Sequence, residues 1–262
     1  MERALFTAAT GLAAQQLSLD VIANNLANAS TVGFKSSRAD FQDLMYQVRQ
    51  DPGSQTGANS MLPTGSQVGL GVSAGTTTTI NTQGTFQQTG RDYDMAISGS
   101  GFFKVLMPDG STAYTRSGNF SVDGTGKLVT SQGYVVQPEI VIPPDKVNVT
   151  ISPDGQVSVR RAGQNQSTVV GQLQLTTFVN ASGLRALGGN LFQATNASGQ
   201  PTDSNPGAQG SGQLMQGSLE SSNVDIVTEM VRMIILQRAY DTNSKVIQSA
   251  DQMMSTTNAI KQ

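Results

Sequence analysis

Residues 223–260 read NVDIVTEMVRMIILQRAYDTNSKVIQSADQMMSTTNAI, and apolar side chains recur through them with a period of seven. Ile226, Met233, Tyr240, Ile247 and Met254 form one row; Ala239, Val246, Met253 and Ile260 form a second beside it. Leu236 and Ala250 fill the positions three residues after Met233 and Ile247, while Glu229, Asn243 and Thr257 place polar groups at the equivalent positions. A seven-residue step returns a side chain to nearly the same face of an α-helix, so the pattern predicts one long helix with a narrow, coiled-coil-like seam broken by polar groups. At 1.5 Å per residue that helix is about 50 Å long, more than a compact domain needs. Burying the nine residues of the two rows is worth on the order of 15 to 25 kcal/mol at most. The seam therefore needs a partner, either within a globular core or on other chains.

The N-terminus repeats the theme. Leu5, Leu12, Leu19 and Leu26 are spaced by seven, with Ala8 and Ile22 between them and Gln15 interrupting. This predicts a second seam-bearing helix that ends near Asn28, where Ala29-Ser30-Thr31-Val32-Gly33 is a run of poor helix formers closed by glycine. Gly11 costs that helix about 1 kcal/mol relative to alanine, so it depends on packing. Two such helices at opposite ends of one chain are expected to pair.

Between them the pattern changes. Three Asp-Gly turns, at Asp109-Gly110, Asp123-Gly124 and Asp154-Gly155, each separate runs rich in β-formers. That spacing predicts antiparallel hairpins across a β-rich middle, with further strands in Gln172 to Val179, where Leu173, Leu175 and Thr177 alternate, and in Asn190 to Thr195. Ala39 to Val48 reads either as a short helix or as an extended segment. Asp51 to Gln67 is rich in breakers and poor in apolar residues, which predicts a flexible loop when the chain is alone, or one ordered by neighbouring subunits in a polymer. The fold class is α+β: paired long terminal helices and a central antiparallel β domain. The segments are 1–30 and 223–262 (assembly helices), 31–75 (connection), 76–205 (β domain) and 206–222 (return).

Composition excludes much chemistry. With no His and no Cys among 262 residues, imidazole bases, thiol nucleophiles and most zinc or iron sites are ruled out. Charged residues are 13% of the chain and the net charge is −2, so there is no basic footprint for nucleic acid and none is expected as a partner. No apolar run is long enough for a membrane span, so no direct insertion is expected. Met1 to Thr7 has neither a positive n-region nor an unbroken apolar run, so no cleaved signal peptide is expected. Gly99-Ser100-Gly101 lacks the third glycine and following helix of a nucleotide loop. Carboxylates such as Asp92 and Asp94, on one face of a possible strand, would have to serve as the catalytic pair of a hydrolytic or carbohydrate-binding β protein, and no metal-loop spacing follows them. No catalytic residue, metal site or cofactor is expected.

Asp20-Val21-Ile22-Ala23-Asn24-Asn25-Leu26-Ala27-Asn28-Ala29-Ser30-Thr31-Val32-Gly33-Phe34-Lys35 resembles the N-terminal signature of bacterial flagellar rod and hook proteins. Gly99 to Phe103, Tyr114 to Phe120 and Gln237 to Lys245 are similar to further blocks of that family. Pro52-Gly53, Leu62-Pro63-Thr64-Gly65 and Val68 to Val72 resemble a segment of its distal rod subunits that hook subunits lack. The resemblance implies a homo-oligomeric helical tube, a rigid axial drive shaft carrying torque from motor to hook. It also implies neighbours: proximal rod proteins, hook protein, P-ring and L-ring proteins and a rod cap. It places the polymer in the basal body, from periplasm to outer membrane, with subunits delivered by the flagellar type III export apparatus. On this reading Leu5, Leu12, Leu19, Ile22, Leu26, Ile226, Met233, Leu236, Ala239, Tyr240, Val246, Ile247, Met253 and Met254 are packing positions. Asn243 would fix register, and Asp51, Pro52, Gly53, Leu62, Pro63 and Gly65 would belong to a stiffening loop. The nearest rival is a hook or proximal rod subunit.

Overall fold

The computed structural model describes residues 2–53, 55–57, 60–61, 63–164 and 166–260. Two long helices frame the chain, α1 at Glu2–Ala27 and α2 at Ile226–Ile260. The start of α2 is set by Asp225, whose carboxylate accepts from the Val227 N–H at 3.1 Å and the Thr228 hydroxyl at 2.7 Å, satisfying donors that the first turn leaves free. Beyond α1 the chain turns as the Thr31 N–H donates to the Asn28 carbonyl at 3.0 Å. Gly33 then takes a φ of 71°, where an added Cβ would meet the Ser117 backbone N at 2.7 Å.

The chain forms two compact units, each built from separated segments. The helical unit comprises the described parts of Met1–Leu26, Ser37–Thr78 and Asp225–Gln262. In it Ser37–Asp43 pairs with Val72–Thr79, and Tyr46–Gln50 runs antiparallel to Ser66–Gly69, with Tyr46 opposite Gly69 and Val48 opposite Gln67. Ala39 to Val48 is thus extended. The loop expected at Asp51 to Gln67 is corrected in part: its described backbone includes the antiparallel pair Gln55–Gly57 and Ser60–Met61. Pro52-Gly53 marks the bend, with Gly53 at φ 82°, so the breakers separate strands instead of leaving an unstructured linker. Leu62 lies outside the described residues.

The β unit comprises Ala27–Ser36 and Thr79–Val224. All three Asp-Gly turns join antiparallel strands: Phe102–Leu106 with Thr112–Thr115, Ser121–Val122 with Leu128–Val129, and Lys146–Ile151 with Gln156–Arg161. Leu191–Gln193 is a strand, whereas within the Gln172 to Val179 stretch Gln172 ends the strand Ser167–Gln172 and a separate short strand covers Leu175–Thr177. Leu173, Leu175 and Thr176 are all buried there, so the expected alternation fails because this short strand is covered on both faces. Phe102–Leu106 is the hub, pairing with Thr112–Thr115, Val135–Gln137 and Leu175–Thr177. Phe103 on it is fully buried and meets Phe120 edge to face at 5.0 Å between ring centroids. Phe103→Ala is expected to destabilise the β unit by about 3 to 5 kcal/mol, read from the urea midpoint at unchanged m-value.

Candidate functional site

Of the packing positions expected on α1, Ile22 is buried and Leu5, Leu12, Leu19 and Leu26 are half-buried. On α2 the covered face takes in part of the first row with its complements: Glu229 and Ala250 are buried, and Met233, Leu236, Asn243, Ile247 and Met254 are half-buried, as is Ala239 of the second row. Ile226 and Tyr240 of the first row are exposed, and so are Val246 and Met253 of the second row. Beside it Val227 is 71% exposed, and Met230, Val231, Ile234 and Ile235 are also exposed. Asn243 lies against Gly11, where an added Cβ would sit 3.4 Å from the Asn243 Nδ2. At that distance an added Cβ would make ordinary van der Waals contact, so the packing here does not demand glycine. Asp51, Pro52, Gly53 and Pro63 are exposed, and Gly65 is pressed against the Gln50 carbonyl and Pro52.

A cleft of about 370 Å³ opens in the helical unit, lined by Val21, Ile22 and Asn25 of α1 and by Glu229, Arg232 and Leu236 of α2, among others. Asn25 is buried and closes one wall through a reciprocal pair: its Nδ2 donates to the Ser37 carbonyl and its Oδ1 accepts from the Ser37 N–H, each at 2.9 Å. The chain therefore returns to α1 at the turn from which it left.

The β unit holds a second constellation. Glu220, fully buried, accepts from Lys35 Nζ at 2.6 Å, from Arg116 Nε at 2.6 Å and from the Gly84 N–H at 3.0 Å. Arg116 also donates through its Nη atoms to the carbonyls of Ile97, Gly99 and Gly101. Gly99-Ser100-Gly101 is thus a receptor for a guanidinium. Asn223 adds a further tie, accepting from the Ser36 N–H at 2.7 Å and donating to the Ile80 carbonyl at 2.8 Å. Burial pushes Glu220 up, but Arg116 and Lys35 outweigh it and hold the carboxyl below the ordinary value of 4.5. Burial dominates at Lys35, lowering it from 10.5 despite its bond to Glu220. Asp92 is exposed while Asp94 is buried on Thr89, so the two carboxylates do not share a face.

Residues 5–35 match the family described as flagella basal body rod protein, residues 96–159 the flagellar hook protein FlgE/F/G D1 domain, and residues 215–260 the flagellar basal body rod FlgEFG protein C-terminal. The flagellar basal-body rod protein FlgG of Caulobacter vibrioides is 51% identical over 260 residues, covering 99% of each chain. The chain belongs to the FlgG family. FlgG of Bacillus subtilis is 43% identical, with 97% of each chain covered, whereas the rod protein FlgF of the same Caulobacter is 35% identical over 97% of this chain and 95% of its own. As a member of the FlgG family the protein is a structural subunit of the distal rod in the flagellar basal body, not an enzyme. Among the described residues, no helix is long and apolar enough to cross a membrane.

Two blocks quoted above for the family resemblance hold Lys35 and Arg116, yet nothing in their spacing told that both close on Glu220, which is 185 residues from Lys35 and 104 from Arg116. Glu220→Gln leaves two buried cations short of a counter-charge, and is expected to cost about 3 to 5 kcal/mol. Because the folded-state pKa is depressed, this contribution is full above 4.5 and is lost as pH falls from there through the lowered value. Urea unfolding of wild type and variant at about pH 7 and about pH 3.5 should show the gap shrinking at the acid end; a gap independent of pH would contradict the assignment.

Proposed function

We propose that this distal rod subunit acts by polymerising into a stiff helical tube. Its terminal helices, 1–30 and 223–262, pair through a coiled-coil-like seam to form an inner tube. The β domain, 76–205, forms the outer wall, joined through the connection 31–75 and the return 206–222. The tube transmits torque as a drive shaft between the proximal rod proteins below and the hook protein above, inside the P-ring and L-ring proteins. Subunits arrive through the flagellar type III export apparatus without a cleaved signal peptide and add beneath a rod cap, so the shaft spans periplasm to outer membrane.

The observation that carries this reading is the uncovered apolar side of α2, from Val227 through Ile234 and Ile235 to Val246 and Met253. A row of large apolar side chains left in water favours association, and in a chain of low charge little opposes it. Packing positions that are half-covered within one chain, such as Leu12, Leu236 and Ile247, would be completed by neighbouring copies. The residues at Asp51, Pro52, Gly53, Pro63 and Gly65 would brace one copy against the next.

Purified chain is expected to form tubes under the electron microscope, and a chain lacking 246–262 is expected to remain unassembled. Asn243→Leu tests the register role: it is expected to give polymers of altered or mixed helical order, because an apolar group at this position no longer penalises slipped pairings. Deleting 51–67 is expected to leave a tube that bends. A deletion polymer as straight as the parent would refute the stiffening role.

A further inference from the structure

Glu229 is only 6% exposed, and its carboxylate lines the apolar cleft between Val21, Ile22 and Leu236. One oxygen accepts from Arg232 Nη1 at 2.9 Å; the other, Oε2, is buried and has no hydrogen-bond partner among the described residues. A buried carboxylate oxygen that gives up water and gains no donor is unfavourable, and the deficit ends when a donor enters the cleft. Arg38, the other cation of the lining, is already engaged with Asp40 at 2.8 Å. The described residues thus leave Oε2 open to a donor from another chain.

We propose that the cleft receives the N-terminal turn of α1 from a second copy of this chain, with Arg3 donating to Glu229 Oε2 and Phe6 entering the apolar part. The inference rests on the polymer reading above and names the contact that propagates it. Three observations select this occupant. Arg3 and Phe6 lie three residues apart on α1, so they share a face. Arg3 is exposed and Phe6 is 60% exposed, an aromatic left in water beside a cation. The α1 residues lining the cleft, Ser18 to Asn25, are about 20 to 35 Å along the helix from Arg3, out of reach of the same chain's guanidinium. Opposite ends of one unit thus carry complementary groups. Such a contact is heterologous: each copy offers its cleft to one neighbour and its N-terminal turn to another, so addition continues without closing on itself.

The test is charge exchange in the full-length chain, with assembly read by sedimentation and electron microscopy. Glu229→Arg and Arg3→Glu are each expected to raise the concentration needed for assembly about tenfold or more, and the double variant to bring it back toward wild type. Glu229→Gln keeps the shape while losing the charge; with wild-type helix content by circular dichroism, it is expected to assemble with weakened salt dependence. If the double variant is no better than the singles, the contact is wrong although the polymer stands. The same holds if rescue comes from Arg238→Glu in place of Arg3→Glu, since Arg238 lies on α2 itself, two residues beyond the cleft-lining Leu236, and implies a side-by-side contact. A wild-type chain that stays monomeric at every concentration overturns the polymer reading and the contact with it.

Discussion

The β unit closes on a buried carboxylate. Glu220 lies between Lys35 and Arg116, and those three residues belong to three segments that sequence alone would never join: the exit from α1, the strand region after Thr115, and the approach to α2. Each ion taken from water carries a desolvation cost, and two cations on one anion leave an excess positive charge. That excess is absorbed by carbonyl oxygens, of Ile97, Gly99 and Gly101 on Arg116 and of Thr82 on Lys35. The arrangement holds because every partner is in place; it specifies one geometry more than it adds net stability.

The consequence for the path of the chain is local. The chain enters the β unit at Ala27–Ser36 and leaves it near Val224, and the hydrogen bonds of Glu220 and Asn223 tie entry to exit. In the helical unit the Asn25 and Ser37 pair does the equivalent work with neutral groups.

How much of this was legible in the sequence follows from the range of each interaction. The helices were legible because a period of seven is a local signal, and so were the three hairpins, because Asp-Gly fixes a turn within a few residues. The segment 51–67 misled because Pro and Gly mark bends as readily as disorder, and only cross-strand partners such as Gln67 for Val48 separate the two. The split of α2 into a covered and an uncovered side was partly visible as two rows, yet the boundary cuts across them, with Ile226 and Tyr240 of the first row exposed and Ala239 of the second half-buried. Glu220 was invisible: it sits alone in Gly217-Ser218-Leu219-Glu220-Ser221-Ser222, with nothing near it in sequence to betray a buried charge.

The span of the Glu220 and Lys35 pair also sets an order of events. The hairpins close loops of a few residues and form early, whereas bringing Lys35 to Glu220 closes a loop of 185 residues. Until that ring shuts, Lys35 and Arg116 have no counter-ion and the strand Ser218–Glu220 has not joined Phe86–Gln88. A chain growing from its N-terminus therefore carries its β unit as nearly finished hairpins around an open seat, and the last strand before α2 is the latch that turns them into one cooperative body.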